Sequence, residues 1–267
     1  MKKLLSLAMV LAIGVFCSVA AQSDDHDDDH DHGPLHFSHP LIVESPSPDT
    51  KVRFDYFFRR LRDAGEKVDD HTLRVEAEYA FKPWISIEVN APLTLHRPEL
   101  SPRETHTDEM EVSLKMASFR WAEKKLLPVY GVSFELPTGN GSAIGSDHVV
   151  HVEPYAGLGW MRNRIELVGF VSMGFPTNRR VTDDDGTELS YEFSYMYKAN
   201  HTLQLLMEVD GSRVVTGPAS GENVLNLSPG FKINHGHHWQ FGFGAGFPVT
   251  GTKDFKVRTI ASVFYHF

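Results

Sequence analysis

The densest chemistry in the chain lies near its start, where His26, His30, His32, His36 and His39 are interleaved with Asp24, Asp25, Asp27, Asp28, Asp29 and Asp31. Imidazole and carboxylate donors at that density suit Zn, Cu or Ni. The surrounding segment, residues 22–50, runs DDHDDDHDH, then GPLHFSHP and ESPSPDT, with few core-building residues and several breakers. It is read as a disordered periplasmic tail. Flexibility favours loose capture by His26, His30, His32, His36, His39, Asp27, Asp29 and Asp31 over a centre of fixed ligands with supporting hydrogen bonds. The bland alternative is a solvated acidic linker. No other cofactor is called for.

A second group of ionisable residues is spread along the chain, and what it can do depends on the elements that carry it. Lys2 and Lys3 precede an apolar run, Leu4 to Phe16, followed by Ser18, Ala20 and Ala21. That is the pattern of a cleaved secretory signal over residues 1–21. Cys17 falls inside it, so the mature chain has no disulfide framework. No later stretch approaches the roughly 20 apolar residues of a membrane-crossing helix. The formal charge of -9 is concentrated in the tail and makes nucleic acid a poor partner.

From Val52 the texture becomes period-two alternation: Val52, Phe54, Tyr56 and Phe58 on one face, Arg53, Asp55 and Arg59 on the other. The same pattern predicts about twelve strands, near 51–61, 71–81, 85–95, 109–120, 127–136, 148–160, 164–175, 189–199, 202–210, 223–233, 238–248 and 255–267. Connections alternate long and short, the long ones near 62–70, 96–108, 137–147, 176–188 and 211–222. Trp84, Trp121, Trp160 and Trp239 all fall beside the short ones. The chain ends on Thr259, Ala261, Val263, Tyr265 and Phe267, the alternation that the outer-membrane assembly machinery reads. Together these features predict an all-β fold, an antiparallel up-and-down transmembrane barrel over 51–267, with its apolar face against outer-membrane lipid and both ends periplasmic.

That topology turns Glu76, Glu78, Glu88, Glu111, Glu135, Glu153, Glu166, Glu192 and Glu208 inward, facing Arg53, Arg74, Lys115, Lys198, Lys232, Lys256 and Arg258. An acid-rich lumen favours cations, whereas paired charges would simply fill it. His151 and Glu153 share the inward face near Glu135; His148 does not, because strand residues three apart point to opposite sides. Val168, Phe170, Leu206 and Phe264 also face inward, against the pattern. So does the row Gly242, Gly244, Gly246, read as a bend in its strand, the alternative being an inward-folded loop or the tail packed against it.

GNGSAIG lacks the Lys-Ser/Thr of a phosphate loop, and no outward face pairs a Ser with a His as a lipid hydrolase would. The segment GVSFELPTGNGSAIGSD followed by VEPYAGLGW resembles the outer-membrane family labelled "putative MetA-pathway of phenol degradation". That resemblance implies a transporter-like barrel for small, even aromatic, compounds and transfers no catalytic residue. The expected function is therefore a non-enzymatic channel for small solutes, linked to divalent metal through its tail. A closed structural or metal-sensing barrel is the alternative, and a lipid-modifying enzyme a third reading.

Overall fold

The computed structural model describes residues 35–63, 66–100, 102–139, 150–177, 186–217, 220–253 and 255–267. The expected signal peptide and residues 22–34 of the expected tail lie outside them.

Thirteen strands follow in order: β1 Lys51–Asp63, β2 Glu66–Lys82, β3 Ile85–Pro98, β4 Glu104–Thr107, β5 Met110–Ala117, β6 Leu126–Leu136, β7 His151–Arg162, β8 Ile165–Pro176, β9 Glu188–Lys198, β10 Leu203–Val214, β11 Asn223–His235, β12 Trp239–Pro248 and β13 Val257–His266. Each pairs antiparallel with its neighbours, and β1 closes on β13 from Lys51↔His266 to Arg60↔Val257. β4 and β5 are two halves of one barrel strand. Both pair with β3, but Leu93↔Thr107 and Asn90↔Glu111 are out of step by one residue, so the strand carries an irregularity at Asp108 and Glu109. The result is a closed barrel of 12 strands.

The alternation sorts side chains as a membrane barrel requires. Phe54, Leu73, Phe193, Phe241 and Phe243 stand exposed on the outside, while Lys51, Arg53, Asp55, Glu76 and Glu78 are buried inside. A belt of exposed aromatic and branched side chains is a surface that water does not tolerate and hydrocarbon does. Connections at one end are short, at 83–84, 163–164, 199–202 and 236–238, with 118–125 accommodated by a 3-10 turn, Phe119–Lys124. Trp84, Trp121 and Trp239 are exposed at this end. The opposite end carries the longer connections 137–150, 177–187, 215–222 and 249–256. The long loop expected at 62–70 is instead a hairpin. Leu61↔Val68 and Asp63↔Glu66 continue the ladder, and Arg60 pairs with Asp69 at 2.7 Å, so polar residues extend the strands rather than leave them.

The largest departure from expectation concerns residues 35–50, which are not a disordered tail but lie inside the barrel. Phe37, Leu41 and Val43 are fully buried. They join Val168, Phe170, Met196, Leu206, Ile260 and Phe264 in one apolar cluster, so the inward-facing residues that broke the barrel pattern are the wall against which this segment packs. The glycine row has the same explanation. A Cβ on Gly242 would lie 2.2 Å from Leu41 Cδ2, and one on Gly244 would lie 3.3 Å from Leu41 Cδ1. Gly242 and Gly244 thus seat Leu41, correcting the expected bend, while Gly246 makes room for Ser228 and Arg258. Gly159 does the same for Phe37, whose Cζ would lie 2.7 Å from an added Cβ.

Overpacking a filled site costs about 1–3 kcal/mol. Gly242→Leu should therefore dislodge the segment. A cysteine introduced into the mature chain as Val43→Cys should resist a charged maleimide in the parent and react readily in the Gly242→Leu background.

Candidate functional site in the barrel lumen

The inserted segment is held through its backbone by lumen charges. The chain bends at residues 41–43, and the Glu208 carboxylate of β10 accepts three successive N–H groups there, from Leu41 at 3.2 Å, Ile42 at 3.0 Å and Val43 at 3.1 Å. Arg53 of β1 donates to the Leu41 carbonyl, and Lys232 of β11 donates to that of His39. Glu166 of β8 accepts from the Ser38 N–H at 2.9 Å and pairs with Lys198. These bonds join charged side chains to backbone, a class roughly twice as strong as neutral pairs.

Below the bend lies a cluster of buried ions at the short-turn end. Lys51 Nζ is 2.7 Å from both Glu76 and Glu78, and Lys115 Nζ is 3.0 Å from Glu78 and 2.7 Å from Glu44 of the inserted segment. Arg53 and Arg74 both reach Asp55, at 2.7 and 2.6 Å. The opposite charges compensate one another's desolvation, which is the condition for burying them.

A third assembly sits at the same end. Asp49 Oδ2 is approached by His266 Nδ1 at 2.7 Å, His39 Nε2 at 3.0 Å and His36 Nε2 at 3.7 Å. Both Asp49 and His39 precede the first strand. Burial would raise Asp49, but hydrogen bonds from His266, His36 and His39 hold its carboxyl well below the usual range. Burial, aided by the Lys51 ammonium, pushes His39 well below the ordinary imidazole value. The pair therefore rests as a carboxylate beside neutral imidazole.

The lumen is not wholly filled. A cavity of about 550 Å³ opens toward the long-loop end, lined among others by Arg59, Arg74, Arg258, Asp108, Glu111 and Glu135. A second, of about 180 Å³, adjoins it through Arg74, Asn90 and Glu111 and carries Glu44, Glu88, Glu153 and Glu192 against Lys115.

Of the residues expected in the lumen, Glu76, Glu78, Glu88, Glu166, Glu208 and Lys232 are buried there, and Arg74, Glu111, Glu135, Glu153, Glu192 and Arg258 line the cavities. His151 stands opposite Glu135 in the β6–β7 register, as anticipated. Lys256 does not join them; it is exposed just before β13. Of the expected metal ligands, His26, His30, His32, Asp27, Asp29 and Asp31 lie outside the described residues. His36 and His39 are packed inside the barrel rather than free in a tail. Glu44, Asp49 and His266 were not anticipated. Their signal was faint: Asp49 and Glu44 sit among prolines and serines, and His266 falls within a strand chosen for its aromatic partners.

No protein-family model matches the chain, and no curated protein matches its sequence. Solved structures do match in fold. An outer membrane channel from Pseudomonas putida is similar over 91% of this chain and 100% of its own, at TM-score 0.63 and 13% identity. The NanC porin covers 82% of this chain and 98% of its own at TM-score 0.56 and 8% identity. The KdgM porin, solved in complex with disordered oligogalacturonate, covers 80% and 99% at TM-score 0.54 and 12% identity. The chain thus has the closed antiparallel architecture found in outer-membrane β-barrel channels.

Removing the Glu208 carboxylate would leave three N–H groups without an acceptor, two of them buried, at a cost of about 1–3 kcal/mol for each buried group. Glu208→Ala should therefore expose residues 37–47 to proteinase K in detergent-solubilised protein whose strands stay resistant, while the parent keeps that segment protected.

Proposed function

We propose that the chain is an outer-membrane channel for small solutes whose resting lumen is narrowed by its own residues 35–50. The observation that carries this reading is the pair of adjoining polar cavities beside an inserted segment, inside a barrel with an apolar exterior. A barrel that served only as a structural element would have no need of open cavities lined by convergent charged side chains. The fold likeness to channels and porins supports the same reading. So does the resemblance of residues 131–160 to the family labelled "putative MetA-pathway of phenol degradation", which we take as the family of this barrel. Transport of this kind needs a lined path and no catalytic residue, so we read the chain as a non-enzyme.

The orientation follows from the same physics. Short turns, exposed tryptophans and both barrel termini belong at the periplasmic face, with export by the N-terminal signal and assembly through the C-terminal strand. The Asp/His tract of residues 24–32 immediately precedes the inserted segment and adds loose capacity for Zn, Cu or Ni.

Selectivity should favour cationic or neutral solutes. The inner cavity carries Glu44, Glu88, Glu111, Glu153 and Glu192 against Arg74 and Lys115. A polyanion such as the oligogalacturonate held by the KdgM porin would be repelled there.

Planar-bilayer recordings test the proposal. Full-length protein should give small or infrequent steps, and deletion of residues 35–47 should raise unitary conductance several-fold, with a reversal potential that favours K⁺ over Cl⁻. Absence of current from both forms would overturn it.

A further inference from the structure

The geometry points to a structured divalent-metal site at the short-turn mouth, built by His36, His39 and Asp49 of the inserted segment together with His266 of the closing strand. It goes beyond the channel reading and does not depend on conductance.

Three imidazole nitrogens converge on one carboxylate oxygen, at 2.7, 3.0 and 3.7 Å from Asp49 Oδ2. The donor atoms of His36, His39 and Asp49 lie mutually within 4.8 Å. Tetrahedral zinc with N and O ligands at about 2.0–2.1 Å holds its donors about 3.3 Å apart, so His36, His39 and Asp49 would draw together around an ion, and His266, which reaches Asp49 but stands outside that three-residue group, would swing in as the fourth ligand. Three histidines and a carboxylate form a donor set for borderline cations such as Zn(II), Cu(II) or Ni(II) and a poor one for Mg(II) or Ca(II).

The surroundings favour a metal over a plain hydrogen-bond cluster. Asp49 Oδ1 accepts the Thr50 N–H at 2.7 Å, which orients the carboxylate and leaves Oδ2 facing the imidazoles. That single oxygen faces more imidazole nitrogens than one acceptor can serve well. His266 turns Nδ1 toward Asp49, and its Nε2 is buried without a hydrogen-bond partner, so no hydrogen bond at the far nitrogen fixes the tautomer in which Nδ1 carries the proton. His39 and His266 lie with ring centroids 5.3 Å apart. The side chains of His39 and Asp49 are almost wholly buried, and that of His36 is 31% exposed, providing a route of entry.

Two other groups of side chains with metal-like spacing, around Glu44 with Glu76 and Glu88 and around Glu44 with His39 and Glu78, are already served by ammonium groups. Lys51 and Lys115 lie among those carboxylates at 2.7–3.9 Å and occupy the place of a cation. Among the described residues, the ion pairs of Asp49 are all with histidines.

Such an ion would tie two points of the inserted segment to the end of β13. It would thereby clip the lumen in its narrowed state, and its affinity would be coupled to insertion, since the site exists only when residues 36–49 are in place.

The test uses full-length protein in detergent with His26, His30 and His32 changed to Asn, which removes the sequence-adjacent tract. Titration with Co(II) should give one equivalent with the intense visible bands of tetrahedral cobalt, displaced by Zn(II). His266→Asn and, separately, Asp49→Asn should abolish those bands and weaken Zn(II) uptake by on the order of 10–100-fold or more. Heat-modifiable mobility on gels verifies that each variant keeps its barrel. Failure of the tract-substituted protein to bind Co(II), or bands that persist in a folded His266→Asn variant, would overturn the proposal.

Discussion

A closed barrel of 12 strands encloses more space than its own inward side chains can fill, and that space here is walled by two incompatible materials. One part of the wall is ionic, centred on Glu76, Glu78, Lys51 and Lys115. Another is apolar, formed by Val168, Phe170, Met196, Leu206, Ile260 and Phe264. Water would solvate the first and not the second. Residues 35–50 resolve the conflict, because Phe37, Leu41 and Val43 cover the apolar wall while the backbone of the same segment supplies donors from Ser38 to Glu166 and from residues 41–43 to Glu208, and acceptors from Leu41 to Arg53 and from His39 to Lys232. Side chains and main chain of one extended segment face different needs of the same cavity.

The distribution of charge also explains how such a segment could leave without damage to the barrel. Lys51 and Lys115 keep Glu76 and Glu78 as partners whether or not Glu44 is present, since those ion pairs join strands to one another. Glu208 and Glu166, by contrast, bind the segment directly and would be hydrated by the water that replaced it. Breaking a buried pair by removing one partner costs several kcal/mol when the remaining charge stays buried and uncompensated. The ionic floor thus joins strand to strand, whereas the contacts to residues 37–43 join the segment to the wall. A bound cation at Asp49 would favour insertion.

Much of the barrel was legible in the sequence because a transmembrane strand states its two faces in alternate residues, and because Phe54, Leu73 and Phe241 have no stable place but lipid if Arg53, Arg74 and Lys232 face inward. The barrel architecture followed from the same rule, and the alternating connection lengths put the tryptophans beside the short turns. The inserted segment was not legible from its own composition. LHFSHPLIV carries apolar residues at Leu35, Phe37, Leu41 and Val43, but prolines, serines and the adjoining aspartates make it read as a tail. Its trace lay in the strands instead, in four apolar residues on the wrong face and a glycine row with nothing opposite. A negative of the segment was present in the barrel before the segment itself could be recognised. The histidine cluster was out of reach because His266 and Asp49 are 217 residues apart, and only closure of the barrel brings them together.

The central claim is that residues 35–50 fill the lumen through backbone bonds to Glu208, and amide hydrogen exchange reads those bonds directly. In folded protein held in bilayer nanodiscs, the Leu41, Ile42 and Val43 amides should exchange with protection approaching that of the β10 and β11 ladders. Exchange of all three at the rate of an unstructured chain, with the strands still protected, would contradict the account.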